Sequence, residues 1–323
     1  MIAVDAAPVL ELDEVERTFV GRDGSEVKAV RPSRLHIAPG EIVALVGESG
    51  SGKSTLAKIA LALELPDKGS VRLEGRDLLR LSKRELRRRR IAMQPVFQDP
   101  TAAFNPRRSI RQVLYEAIAC RSGHTADPER LALEILHRVG LTPAANFIDR
   151  YPHEISGGQR QRLGIARALA AKPKIIIADE PLSGADVSIR GQILNLLLDL
   201  RREEGLSILF ITHDISIAEV FADRVVVMYR GMIVEEGPAS EVLKNPAHPY
   251  TRLLWAAVPH IDGDDIEAVR RLIIARPEGS GCPFYSRCVS AIERCAQEMP
   301  GSHSLGQTRQ YRCFVQPQNQ IAG

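Results

Sequence analysis

The sequence lacks a long apolar run, a strong net charge and a basic N-terminal leader, and each absence removes a class of protein. No apolar run approaches the ~18 residues that a membrane-spanning helix requires. A net charge of +3 in 323 residues does not by itself indicate binding to nucleic acid or lipid. Residues 1–11 contain Asp5 and Glu11 but no basic residue, unlike a signal peptide. We therefore expect a cytosolic protein, which would act at a membrane only by docking to other subunits.

Cysteine is scarce, but its distribution is uneven. Of the five cysteines, four lie within the last 42 residues, at Cys282, Cys288, Cys295 and Cys313. In a reducing cytosol such clustering indicates metal or redox chemistry before disulfides. The intervening gaps of five, six and seventeen residues do not match the C-x-x-C pairs typical of structural zinc. Cys120 lies apart from the others and is expected to be a buried apolar side chain.

The segment 47–55 carries the clearest chemical pattern in the chain. It lies between an apolar β-branched run, 42–46, and a helix-forming stretch, 56–61. Glycines let backbone N–H groups turn toward phosphate oxygens, and the N-terminus of the following helix favours an anion. Lys53 supplies a positive charge, and the Ser54 hydroxyl is placed to bind Mg²⁺. This strand–loop–helix context favours a nucleoside triphosphate site over a simple glycine turn. Its predicted residues are Gly47, Glu48, Ser49, Gly50, Ser51, Gly52, Lys53, Ser54 and Thr55.

Three other apolar runs end in polar residues. One run closes on Gln98, a second, 175–178, ends in Asp179 and Glu180, and a third, 207–211, is followed by Thr212 and His213. Adjacent carboxylates at the end of a buried strand are costly unless they meet a cation or move a proton. We expect Asp179 in the Mg²⁺ shell and Glu180 polarising the attacking water. Strand ends of an open α/β sheet converge on one crevice.

Three segments have two interpretations each from their residues alone. Phe19 either stacks on an adenine ring or is a core aromatic residue. The stretch 83–90 has six basic residues in eight, which is typical of a solvated helix face and less so of a nucleic-acid contact, because no aromatic residues are interleaved. The Ser156-Gly157-Gly158-Gln159 segment begins a predicted helix and is either an anion site or an ordinary N-cap.

Taken in order, these segments resemble the ATP-binding subunit of ABC transporters over about residues 9–250. The resemblance implies that Lys53 and Ser54 hold phosphate and Mg²⁺, with Asp179 in the metal shell. It also implies that Glu180 is the catalytic base and that His213 contacts the γ-phosphate. Gln98 would contact Mg²⁺ and the attacking water. It would also transmit the state of the ATP site to a membrane subunit. Phe19 matches the adenine-stacking aromatic residue of the family.

The family resemblance also implies a dimer, in which each ATP lies between two subunits. The signature loop, residues 155–159, would bind the γ-phosphate of ATP held by the opposite subunit, and it begins here with Ile155 where the family usually has Leu. This role falls on Ser156, Gly157, Gly158 and Gln159. After Glu180 the family usually has Pro-Thr-Ser-Ala-Leu-Asp, but this chain has Pro-Leu-Ser-Gly-Ala-Asp, which keeps Asp186 as a dimer contact.

The C-terminal segment resembles one importer subfamily. Residues 245–251, Asn-Pro-Ala-His-Pro-Tyr-Thr, are similar to a segment of the oligopeptide, dipeptide and nickel importer ATPases, and the Cys282 and Cys288 stretches resemble the extension of that subfamily. Some members carry a [4Fe–4S] cluster there, so we expect one on the four C-terminal cysteines; zinc and unliganded thiols are the alternatives.

We predict an α/β P-loop NTPase fold with an inserted helical subdomain at about 95–172. The nucleotide-binding domain would span 1–240 and a small cysteine-containing domain 241–323. The predicted function is Mg²⁺-dependent ATP hydrolysis that powers import of peptides, or of nickel or another small solute. Expected partners are a second ATPase subunit, which is a related chain or, as the less favoured alternative, a second copy of this chain, and two transmembrane permeases. An extracytoplasmic solute-binding protein would be an indirect partner, and the site of action would be the cytoplasmic face of the inner membrane. Nucleic acid is not an expected partner, since the chain has neither heptads nor an internal repeat.

Overall fold

The computed structural model describes residues 7–99, 104–121, 126–184, 187–258, 277 and 279–316. Its strands are β1 Leu10–Val20, β2 Glu26–Ile37, β3 Ile42–Val46, β4 Lys68–Leu73, β5 Arg76–Asp77, β6 Met93–Val96, β7 Ile175–Asp179, β8 Ser207–Thr212, β9 Arg224–Tyr229, β10 Met232–Pro238, β11 His303–Leu305 and β12 Arg309–Tyr311. Its helices are α1 Lys53–Ala60, α2 Lys83–Arg89, α3 Ile110–Cys120, α4 Pro128–Arg138, α5 Gly157–Ala170, α6 Val187–Glu204, α7 Ile215–Phe221, α8 Ala239–Lys244, α9 Pro249–Ala256 and α10 Arg294–Gln297.

The larger sheet has the order β11-β12-β10-β9-β3-β8-β7-β6. Strands β9, β3, β8, β7 and β6 are mutually parallel. Every residue of β3 and β8 is buried, as a continuous apolar run predicts for a strand covered on both faces. Parallel pairing brings the carboxyl ends of β3, β6, β7 and β8 to one edge. The predicted α/β class is confirmed.

A second, antiparallel sheet of order β2-β1-β4-β5 covers one face of the central sheet. Helix α1 lies between the two layers. Its Leu56 and Ile59 pack in one cluster with Leu10 of β1 and with Leu45 of β3. The helix that follows the phosphate loop is therefore anchored on both sides by apolar contacts, which fixes where the loop ends.

Helices α3, α4 and α5 form a helical unit beside β6. Each begins where a polar side chain accepts a hydrogen bond from the backbone of the first turn: Ser109, Asp127 and Ser156. Their inward faces share one apolar cluster with β7, β8 and α6. These helices lie inside the range predicted for the helical subdomain.

The C-terminal residues add a hairpin to the central sheet. Strand β12 pairs with β10 and with β11, all antiparallel. Glu235 of β10, 1% exposed, accepts hydrogen bonds from the N–H groups of Ala247 and His248 and from Arg309 of β12, each at 2.9 Å. A buried ion pair thus joins the hairpin to the sheet.

In the described part of the chain, no helix combines the length and apolarity needed to cross a bilayer.

Candidate functional site

A cleft of about 1300 Å³ opens at the carboxyl edge of the central sheet. It lies where β3, β6, β7 and β8 end, at the crevice that their parallel pairing predicts. The predicted residues that line it are Phe19, Glu48, Ser49, Gly50, Gly52, Lys53, Ser54, Thr55, Gln98, Glu180 and His213. Residues that are distant in sequence therefore meet in one site.

The phosphate loop, residues 47–55, wraps around the ammonium group of Lys53. This side chain is only 4% exposed, and its Nζ donates to the carbonyl oxygens of Gly47 at 2.7 Å and Glu48 at 2.8 Å. Burial lowers the pKa of Lys53, and the nearby carboxylates of Glu180 and Asp179 oppose that shift. Gly52 has φ +105°, and a Cβ there would lie 2.1 Å from the Ala29 carbonyl oxygen. Only glycine suits that position.

Asp179 and Ser54 lie together at the entrance of α1. The Ser54 hydroxyl donates to Asp179 Oδ1 at 3.2 Å. Burial raises the pKa of Asp179, the hydrogen bond from Ser54 opposes the shift, and the adjacent Glu180 carboxylate adds to it. A hydroxyl and a carboxylate are the oxygen ligands that Mg²⁺ prefers beside phosphates. The pair fits the predicted metal shell.

Glu180 lies between Gln98 and His213. Gln98 Nε2 donates to one carboxylate oxygen of Glu180 at 3.0 Å, and His213 Nδ1 lies 3.4 Å from the other. The backbone of Glu180 has φ +45°, a left-handed conformation that is unusual for a side chain of this kind. The structure brings together the three predicted catalytic residues, with a carboxylate oriented from both sides.

Phe19 is not a core residue. Its side chain is 40% exposed at the edge of the cleft, and the Arg17 guanidinium lies 4.8 Å from the ring centroid. The core interpretation is therefore wrong, and an exposed ring in this place is available for stacking. Asp186, the predicted dimer contact, lies outside the described residues.

The signature loop lies at the N-terminus of α5. Ser156 Oγ accepts from the Gln159 N–H at 3.3 Å, and Gln159 Oε1 accepts from the Ser156 N–H at 2.9 Å. Ser156, Gly157, Gly158 and Gln159 do not line the ATP-sized cleft of their own subunit as the structure describes it. The reciprocal hydrogen bonds of an N-cap are therefore observed. Phosphate binding by this loop stays a prediction.

The four C-terminal cysteines lie near one another but are not arranged as a metal site. Cys282 donates its N–H to the Cys295 carbonyl oxygen at 2.8 Å. Burial raises the pKa of Cys282 to about 11 and that of Cys288 to about 12, and nearby cysteines, Cys313 among them, add to both shifts. Among the described residues, no three His, Cys, Asp or Glu side chains have the geometry to hold a metal ion. The structure therefore does not support the predicted iron–sulfur site, because cysteines that are close in sequence need not form a set of ligands in the fold.

Two residues of the site were missed from the sequence. Tyr250 and Arg287 both contact Glu48 of the phosphate loop, with distances of 2.8–3.0 Å. Tyr250 lies in the Asn-Pro-Ala-His-Pro-Tyr-Thr segment and Arg287 directly precedes Cys288. Both segments stand out in the sequence, yet nothing in their pattern indicates contact with the phosphate loop.

Comparison with known proteins identifies the family. The family profile described as "ABC transporter" matches residues 30–183. The chain is 44% identical over 296 residues to a probable peptide ABC transporter ATP-binding protein of Sinorhizobium fredii, covering 90% of this chain and 83% of that protein. This chain belongs to the ATP-binding subunits of ABC transporters. An ABC ATPase of this kind hydrolyses ATP, and hydrolysis is coupled to transport.

Further relatives of this ABC ATPase support the same assignment. The profile described as "Oligopeptide/dipeptide transporter, C-terminal region" matches residues 234–295. The dipeptide transport ATP-binding protein DppF of Escherichia coli is 40% identical over 299 residues, 91% of this chain and 89% of that protein. A solved ATP-binding cassette, a dimer in a post-hydrolysis state bound to ADP and Pi, superposes with a TM-score of 0.65 at 32% identity. That match covers 71% of this chain and 98% of the other. The predicted family, fold and enzyme class are confirmed.

Proposed function

We propose that this ABC ATPase powers the import of peptides through a membrane permease. The observation that carries the proposal is the match of residues 234–295 to the C-terminal region of oligopeptide and dipeptide transporters, on a chain whose phosphate loop, Gln98, Glu180 and His213 line one cleft. Relatives named for peptide or dipeptide transport align over 90% of this chain or more. Nickel or another small solute is the alternative cargo.

The proposed hydrolysis step uses the residues of the cleft. Lys53 and the loop N–H groups bind the terminal phosphates, and Ser54, Asp179 and Gln98 would hold Mg²⁺, which neutralises phosphate charge when bound. Glu180 accepts a hydrogen bond from the attacking water and orients it for in-line attack. Gln98 donates to one Glu180 oxygen and His213 lies beside the other, so the carboxylate is held among the residues that line the cleft.

We also propose that two ATPase subunits close around ATP. Ser156 and Gly158 lie at the start of α5 and do not line the described cleft of their own chain, which supports binding to the nucleotide of a partner subunit. The solved cassette at 32% identity is itself a dimer bound to ADP and Pi. Permease subunits would receive the motion through Gln98. We propose that this protein acts at the cytoplasmic face of the inner membrane, as a peripheral subunit. A solute-binding protein on the other side would deliver cargo, and the partner ATPase is proposed to be a related chain.

We also propose a division into residues 1–240 and 241–323. It is supported by two separate family profiles, which match residues 30–183 and, from within the last strand of the first part, 234–295. The two parts pack against each other. Tyr250 and Phe284 lie in one apolar cluster with Val46 of β3 and Val227 of β9. We propose that the C-terminal part is a distinct family module that folds onto the sheet of the first.

Deletion of the gene is expected to abolish uptake of radiolabelled dipeptides and tripeptides by whole cells, and the wild-type gene should restore it. A Lys53→Ala gene is the matched control, since it makes the same chain without the phosphate charge and should not restore uptake. Normal peptide uptake together with a loss of ⁶³Ni²⁺ uptake would overturn the peptide assignment and favour the nickel alternative.

We propose that the four C-terminal cysteines bind an iron–sulfur cluster. The subfamily resemblance supports this proposal, and the described side chains do not by themselves form a metal site. Chain purified without oxygen is expected to contain iron and acid-labile sulfide in near-equal amounts, with visible absorbance that is lost in a Cys288→Ser variant. The Cys120→Ser variant is the control. The prediction that Cys120 is buried is wrong, since the side chain is exposed at the end of α3, and its replacement should not affect the iron content. Zinc alone, or no metal, would refute the cluster and leave the ATPase assignment intact.

A further inference from the structure

Glu48, the second residue of the phosphate loop, is held through its N–H, its C=O and its side chain. The N–H donates to the Tyr250 hydroxyl at 2.9 Å, and the C=O accepts from Lys53 Nζ at 2.8 Å. Both carboxylate oxygens accept from Arg287, at 2.8 Å from Nη1 and 3.0 Å from Nη2. Two of these three partners, Tyr250 and Arg287, come from the C-terminal part of the chain.

The Arg287–Glu48 contact has the geometry of a selective ion pair. Two parallel N–H···O bonds to one carboxylate require a planar guanidinium, which a lysine ammonium cannot replace. The hydrogen bonds to Glu48 raise the pKa of Arg287. The side chains are 31% and 41% exposed, so the pair adds little to overall stability. Its main effect is then on the position of the loop.

The support behind these contacts is rigid. Tyr250 is fully buried, and its ring centroid lies 4.5 Å from that of Tyr229 and 5.4 Å from that of Phe284. Arg287 ends the short turn Tyr285–Arg287, which directly follows Phe284. A packed aromatic cluster therefore fixes both groups that bind Glu48.

We propose that Tyr250 and Arg287 are positioning residues for ATP, which hold the phosphate loop in its binding shape through Glu48. Lys53 donates to the Glu48 carbonyl oxygen, so a shift of Glu48 moves the ammonium that binds the terminal phosphates. A loop that is already ordered pays less entropy when the nucleotide binds. The proposal depends on ATP binding by this family and is independent of the cargo.

The test measures nucleotide binding and turnover in the purified full-length chain. With Mg²⁺ and the fluorescent probe mant-ATP, Arg287→Ala and Tyr250→Phe are each expected to raise the Kd about tenfold. In the transporter complex the KM for ATP should rise by a similar factor, while kcat stays within about twofold, because Glu180 and its partners are unchanged. Arg287→Lys should recover only part of the affinity, since it restores the charge without the paired hydrogen bonds.

Arg294→Ala is the matched control. Arg294 also belongs to the C-terminal part and pairs with a glutamate, Glu298, at 2.7 Å, but that pair does not involve the phosphate loop. It should leave the mant-ATP Kd unchanged. A second readout uses the reciprocity of coupled binding: ATP should slow amide hydrogen exchange at residues 285–288 in the wild type and not in Arg287→Ala. Unchanged Kd in both Tyr250→Phe and Arg287→Ala, or full recovery by Arg287→Lys, would overturn the proposal.

Discussion

Replacement of Glu180 by glutamine is expected to lower ATP turnover by about 10²–10⁴-fold and to leave ATP binding intact. Glutamine keeps the size of the side chain, and its carbonyl oxygen can still accept the hydrogen bond that Gln98 donates at 3.0 Å. What it loses is the negative charge that, in the proposed hydrolysis step, accepts the proton of the attacking water. Phosphate release and mant-ATP binding, measured on the same preparation, separate the two effects.

The Glu180→Gln variant should also accumulate as a closed dimer when ATP and Mg²⁺ are added, because bound ATP is no longer consumed. Size-exclusion chromatography with and without ATP detects this change. Glu203→Gln is the control, since Glu203 is a carboxylate on α6 that pairs with Arg138 at 3.1 Å and does not line the cleft. Near-normal hydrolysis by Glu180→Gln would refute the assigned role.

Replacement of Arg309 by methionine is expected to lower the free energy of unfolding by about 3–5 kcal/mol. Arg309 is 7% exposed and pairs with Glu235, whose side chain is fully buried. Methionine fills a similar volume but removes the cation. Among the described residues, the Glu235 carboxylate then keeps the hydrogen bonds from the N–H groups of Ala247 and His248. A buried charge without its counter-ion is costly because it has lost its hydration. Urea denaturation followed by circular dichroism measures the change.

The double variant Glu235→Gln with Arg309→Met should recover part of this loss, because it removes the unpaired charge. Arg138→Ala is the control, because it removes ion pairs at the surface instead of a buried one. Its ion pairs with Glu203 and Glu204 lie on the surface, and their removal should cost less than about 1 kcal/mol. If Arg309→Met and Arg138→Ala unfold at the same urea concentration, the buried pair does not stabilise the hairpin.

The ATP cleft was predictable because it depends on local patterns and one topological rule. Apolar runs that end in Gln98, in Asp179 and Glu180, and in His213 indicate buried strands with polar ends. Parallel strands place those ends at one edge, so the residues meet although they are far apart in sequence. The capped start of α5 at Ser156 was predictable for the same reason, since the capping pattern lies within four residues.

The attachment of the C-terminal part was not predictable from the sequence. Arg287 and Glu48 are 239 positions apart, and no periodicity links them. The pairing of β12 with β10 depends on the path of the chain, and strands of three residues carry little pattern. The arrangement of the four C-terminal cysteines was not predictable either, because their spacing along the chain does not determine whether the side chains form a set of metal ligands.

Because the backbone at Glu180 is left-handed, protein stability and ATP hydrolysis favour different residues at this position. Its N–H donates to the Ile211 carbonyl oxygen at 3.0 Å and its C=O accepts from the Ser183 N–H at 3.1 Å, so the surrounding chain maintains φ at +45°. A side chain in this conformation costs about 1–2 kcal/mol that glycine would not. Selection of variants for heat resistance alone would therefore favour Glu180→Gly, which removes the carboxylate proposed as the catalytic base. Thermostable versions of this ATPase have to be screened for phosphate release in every round.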